Sequence, residues 1–97
     1  MPDATTTTAK RSPGGNQSST IALRALGWIL DDPQRVSRFL ALTGLEPDDL
    51  RTRIAEKEIH AAVFDYLAGH EADLIACADA LEMRPSAIQA AARELGA

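Results

Sequence analysis

From Ser19 onward the chain is cut into short helical lengths by its own prolines and glycines, and this punctuation limits the fold more than any other feature. Pro33, Pro47 and Pro85 directly follow Asp32, Glu46 and Arg84. Proline has no N–H to give and a fixed φ, so it suits the first position of a helix and not its interior. Gly44, Gly69 and Gly96 close apolar runs, and glycine adopts the left-handed conformation at which helices stop. Between these marks apolar residues recur at three- and four-residue spacing, and no segment alternates as a strand would.

The spacing predicts a first helix over about 20–31, capped by Ser19, with Leu23, Leu26, Ile29 and Leu30 inward. A second starts at Asp32 and Pro33, buries Val36, Phe39 and Leu40, and stops at Gly44. A third begins at Pro47, with Asp48 and Asp49 where the helix dipole favours acids, and ends near Ala55 or Glu56. Leu45 and Leu50 stand at staple spacing around its start. The fourth, 57–68, carries Ile59, Ala62, Val63, Tyr66 and Leu67 on one stripe. The fifth, 71–81, turns Leu74, Ile75, Ala78 and Leu81 inward, and the sixth runs from Pro85 through Ile88, Ala91, Ala92 and Leu95 to Gly96. Residues 1–18 hold the run Thr5 to Thr8, then Ser12, Pro13, Gly14 and Gly15, with Met1 as their one large apolar side chain. Such a segment buries too little surface to offset its ordering entropy. The expectation is an all-α, compact bundle of five to six short helices over residues 19–97, one domain, with a disordered N-terminal arm over residues 1–18.

Two corners echo one another. Leu45, Glu46, Pro47 and Leu50 match Met83, Arg84, Pro85 and Ile88, which reads as one capping solution used twice and not as a repeat array. The residues Ala25 to Leu30, then Asp32 and Pro33, Arg38 to Leu45, Pro47, Leu50 and Arg51 together resemble the bacterial domain-of-unknown-function family numbered 3572. Val63, Asp65, Tyr66, Leu67, Glu71 and the Pro85 corner are similar as well. The likeness covers about residues 21–96. It implies a small helical domain and brings with it no activity, ligand or catalytic residue.

The formal net charge is −4, and residues 19–97 hold 8 basic against 13 acidic side chains. An acidic body repels phosphate backbones, which argues against nucleic acid and anionic membranes as partners. No run is apolar enough to cross a membrane and none resembles a secretory signal, and the single cysteine, Cys77, suits a reducing cytoplasm. Cys77 falls among Leu74, Ala78 and Leu81 and reads as a buried, inert thiol. Glu56 and His60 have a spacing that metal ligands use, but no second pair completes a site, so His60 reads as a solvated or hydrogen-bonded side chain. His70 reads as part of the turn after Gly69, and the acid pairs at 31–32 and 48–49 read as helix caps. No catalytic residue, cofactor, metal or small-molecule ligand is inferred.

Two features bear on function. Ile21 and Trp28 align two turns apart and lie off the Leu23, Leu26 and Leu30 stripe, and Phe64 likewise leaves the stripe of its helix. Helices apolar on two sides are either central or form an interface. Ile21, Trp28 and Phe64 are therefore the candidate partner surface of a non-catalytic protein-interaction or regulatory module, bound to another protein or to itself. The alternative is a DNA-binding regulator, since Ala78, Met83, Ile88 and Ala91 fit helix-turn-helix spacing around Met83, Arg84 and Pro85. Its reading helix would offer only Gln89 and Arg93, with Glu94 beside them. Random duplex DNA is expected to leave the chain free at about 150 mM salt, because few groups release counterions. Fluorescence anisotropy measures this, and steeply salt-dependent binding at micromolar concentration or below would reverse the order of the two readings.

Overall fold

The computed structural model describes residues 14–96. Among them the chain forms six helices and no strand: α1 (Gly14–Leu30), α2 (Pro33–Thr43), α3 (Pro47–Thr52), α4 (Lys57–Ala68), α5 (Glu71–Ala80) and α6 (Pro85–Gly96). Each predicted proline is the first residue of its helix, and Asp32 accepts a hydrogen bond from the Gln34 N–H at 2.8 Å as the cap of α2.

α1 and α4 are central. Both pack against α2, α5 and α6 as well as against each other. The enclosed face of α1 is Ile21, Ala22, Ala25, Leu26 and Ile29, and α4 buries Ile59, His60, Val63, Phe64, Tyr66 and Leu67. Central position is why each helix needs more than one apolar face. Ile21 and Phe64 therefore belong to the core, at 9% and 4% exposure, and not to an outer surface.

Four sequence expectations change. α1 starts at Gly14 and not near residue 20, so part of the expected arm is helical. The cause is tertiary: Ser18 is buried and its hydroxyl donates to a Glu94 carboxylate oxygen of α6 at 3.1 Å. The rest of the expected arm, 1–13, lies outside the described residues. Leu23 and Leu30 face outward, because the inward arc of α1 runs through Ile21, Ala22, Ala25, Leu26 and Ile29 and these two lie off it. Ile75 is 52% exposed and Cys77 takes the inward place, giving α5 the arc Leu74, Cys77, Ala78 and Leu81. α3 also ends early, at Thr52, with Arg53 as its C-cap.

The echoed corners share a left-handed residue and differ in hydrogen bonding, Gly44 N–H donating to Leu40 C=O at 2.9 Å at the first. Gly44 and Glu82 are left-handed, with φ of 76° and 58°. Each is followed by a half-buried apolar residue, Leu45 or Met83, then a charged residue, then the proline that opens the next helix. At the second corner Met83 N–H donates to Ala78 C=O at 2.8 Å and Glu82 N–H to Asp79 C=O at 3.1 Å, the paired bonds of a Schellman stop. The five-residue step from Ala78 to Met83, which matches helix-turn-helix spacing, is the span of that hydrogen bond. Glu82 carries a Cβ where its counterpart is glycine, at a steric cost of about 1–2 kcal/mol. Glu82→Gly is expected to stabilise the fold by about 0.5–1 kcal/mol, the glycine's own entropy offsetting part of the relief. Gly44→Ala should lose about 1 kcal/mol, and urea midpoints at constant slope measure both.

Candidate functional site

The three proposed surface residues do not come together. Ile21 and Phe64 are enclosed, and only Trp28 keeps an exposed edge. One face of Trp28 is covered by the Arg35 guanidinium at 3.9 Å from the ring centroid. Arg35 Nε and Nη2 also donate to the Trp28 carbonyl, at 3.1 and 2.8 Å, and so satisfy the C-terminal end of α1. Arg24 does the same for α5 through Leu81 C=O at 2.9 Å. Trp28 and the two arginines are thus tied to helix ends.

The apolar surface lies elsewhere. The end of α1, the side of α2 and the small α3 enclose an open groove of about 340 Å³, lined by Leu30, Val36, Leu40, Pro47, Leu50 and Ile54, with Arg51 at its edge. Leu30 is 44% exposed and Ile54 is 40% exposed, so both offer apolar area to a visitor. Arg51 pairs loosely with Asp48, 3.6 Å away on the same exposed turn. Sequence periodicity assigned Leu30, Val36 and Leu40 to the interior and so hid the groove. The available signal was Ile54, an apolar residue outside every stripe.

A polar cluster joins α2, α4 and α5. Arg38 Nε donates to the Tyr66 hydroxyl at 3.1 Å and Arg38 Nη2 pairs with Asp73 at 2.9 Å, while the Tyr66 hydroxyl donates to the same Asp73 carboxylate. Phe39 meets the Tyr66 ring edge-on at 5.6 Å and His70 stacks on it at 4.8 Å. Burial raises the Tyr66 hydroxyl above its ordinary value, and its hydrogen bond to Asp73 adds to this. Burial also pushes Asp73 upward, but hydrogen bonds from Tyr66 and Arg38, with the positive charge of Arg38, outweigh it and hold the carboxyl below its ordinary value. The Tyr66 and Asp73 hydrogen bonds in turn raise Arg38. Each group is fixed in its usual charge state, so the cluster clamps three helices and does not pass protons near neutral pH.

The remaining candidates are structural. His60 is buried, and its Nε2 donates to Ile54 C=O at 2.9 Å. His70 Nδ1 lies 2.8 Å from Tyr66 C=O, at the turn between α4 and α5. Cys77 is fully buried, and desolvation pushes its thiol up to about 11. No group of three or more His, Cys, Asp or Glu side chains among the described residues is arranged to hold a metal ion. On α6 the outward side chains include Ser86, Gln89, Arg93 and Glu94. Among the described residues no helix is long and apolar enough to cross a membrane.

Six short helices, a charged clamp and an open apolar groove define a small all-helical domain. The chain belongs to the family described as "Protein of unknown function (DUF3572)", whose model matches residues 16–97. No curated protein and no solved structure matches it.

The clamp generates a pH dependence. Asp73 has a folded pKa below its ordinary value of 3.8, so its contribution is complete above that value and is lost as pH falls through the lower, folded one. Asp73→Asn is expected to cost about 1.5–3 kcal/mol at pH 7, the weight of hydrogen bonds to a charged group. The gap between wild type and variant should close progressively below about pH 4. Urea unfolding across pH measures it, and a gap that stays constant into acid would remove the clamp from the account.

Proposed function

We propose that the chain is a non-catalytic protein-interaction module of the cytoplasm, which receives the apolar side chains of a partner helix in the groove between α1, α2 and α3. One observation carries the reading: Leu30, Val36, Leu40, Pro47, Leu50 and Ile54 line one open groove, to which Leu30 and Ile54 bring exposed apolar area. A groove of about 340 Å³ takes a few anchoring side chains spaced along one helical face, a common mode of peptide recognition. The non-catalytic part is supported by the titratable groups, whose displaced values favour fixed charge states in the clamp and an unreactive thiol at Cys77. The cytoplasmic part rests on the single, unpaired cysteine.

Leu30→Lys and Ile54→Lys test the reading, since both positions are half exposed and tolerate a long polar side chain at about 0.5 kcal/mol. Proteins retained from native cytosol by the wild-type chain are compared by mass spectrometry with those retained by each variant, and light scattering reports self-association. A partner, or a second copy, should bind wild type and Arg93→Ala alike and lose more than about tenfold in affinity against either groove variant, as at an interface hot spot. Capture indifferent to Leu30 and Ile54 but lost in Trp28→Ala or Arg93→Ala would overturn the groove as the site.

A further inference from the structure

α3 is attached to the body differently from the other helices. It has six residues, a single buried side chain in Leu50, and no extended packing against any other helix. Within itself the segment is well braced. Glu46 N–H donates to Asp49 at 2.9 Å, Arg53 Nε pairs with Glu56 at 2.8 Å, and Arg53 Nη1 reaches Asp49 at 3.8 Å. It leaves α2 at Gly44, whose left-handed φ of 76° meets no neighbour within 4 Å at the Cβ position. It rejoins α4 through a turn closed by Glu56 N–H to Arg53 C=O at 2.9 Å. Among the described residues, His60 Nε2 gives this turn a side-chain hydrogen bond from α4, to Ile54 C=O, beside the backbone bonds from Ile59 and His60 N–H to Glu56 C=O. The other ring nitrogen, Nδ1, is buried with no partner among the described residues, so breaking the tie disturbs no wider network.

We propose that residues 45–56 form a hinged strap that opens as one piece, with the His60–Ile54 hydrogen bond as its latch, and that the strap sets the width of the apolar groove. Opening withdraws Pro47, Leu50 and Ile54 from one wall and leaves Leu30, Val36 and Leu40 as the other. Segments with internal bonds and few attachments open below the global unfolding free energy. The inference concerns the groove's wall and does not depend on what binds there.

Hydrogen exchange of the full chain, read by mass spectrometry in increasing urea below the unfolding transition, tests it. Amides of residues 49, 53 and 56 are expected to exchange at least about tenfold faster than those in the middle of α4, with little dependence on urea. His60→Leu, which removes the donor, should speed exchange in the strap by about five- to tenfold, the weight of one net hydrogen bond, while α6 is unchanged. His60→Gln, which keeps a donor at the place of Nε2, should stay within about twofold of wild type. Strap amides that share the core's rate and urea dependence in the wild-type chain would overturn the proposal without recourse to any variant. Equal acceleration everywhere in His60→Leu would overturn the latch.

Discussion

The central position of α1 and α4, each packed against the other and against α2, α5 and α6, decides where the other helices can go. Ala22 and Ala25 lie on the enclosed face of α1, and α4 buries Ile59, Val63, Phe64 and Leu67. Small residues at a helical crossing leave no slack, because interiors are packed as densely as organic crystals. α2, α5 and α6 then close around this pair. α3 has too few residues to form a continuous apolar stripe, so it stays at the margin and makes a wall of the groove. The open apolar surface is in this sense a product of the packing: two enclosed helices consume the long apolar faces and one short helix is left over.

The ends of helices were legible in the sequence, while the directions of their faces were less so. Proline at 33, 47 and 85 and the left-handed Gly44 are backbone constraints, and these act wherever the helix packs. Facing is a tertiary matter. Leu23 and Leu30 share a helical spacing with Leu26, yet the arc that packing encloses runs through Ile21, Ala22, Ala25, Leu26 and Ile29. Gly14 and Gly15 give no helical signal, and the first turns of α1 exist because α6 lies alongside and receives the Ser18 hydroxyl. The second apolar faces of α1 and α4 were seen correctly at Ile21 and Phe64 as an excess, but they mark centrality and not exposure. The groove is not legible helix by helix, because it combines residues of α1, α2 and α3 with Ile54 from the turn after α3.

Charge is used sparingly and locally. Arg24 and Arg35 satisfy the carbonyls at two helix ends, and Arg38 joins Tyr66 and Asp73 across three helices. An acidic chain with few cations thus commits much of its positive charge to holding helices in place. What it leaves for a visitor is mainly shape and apolar area, which fits recognition of another protein better than recognition of a phosphate polymer.

The position of Cys77 makes it a clock built into the molecule. The sole thiol of the chain is fully enclosed on α5 and held in its protonated, poorly nucleophilic form. An alkylating reagent therefore reacts only with molecules in which α5 has come away, and the rate of labelling counts those openings. The same enclosure gives covalent dimers a definite meaning: a disulfide between two chains records that both had lost their core, and so marks damage and not assembly.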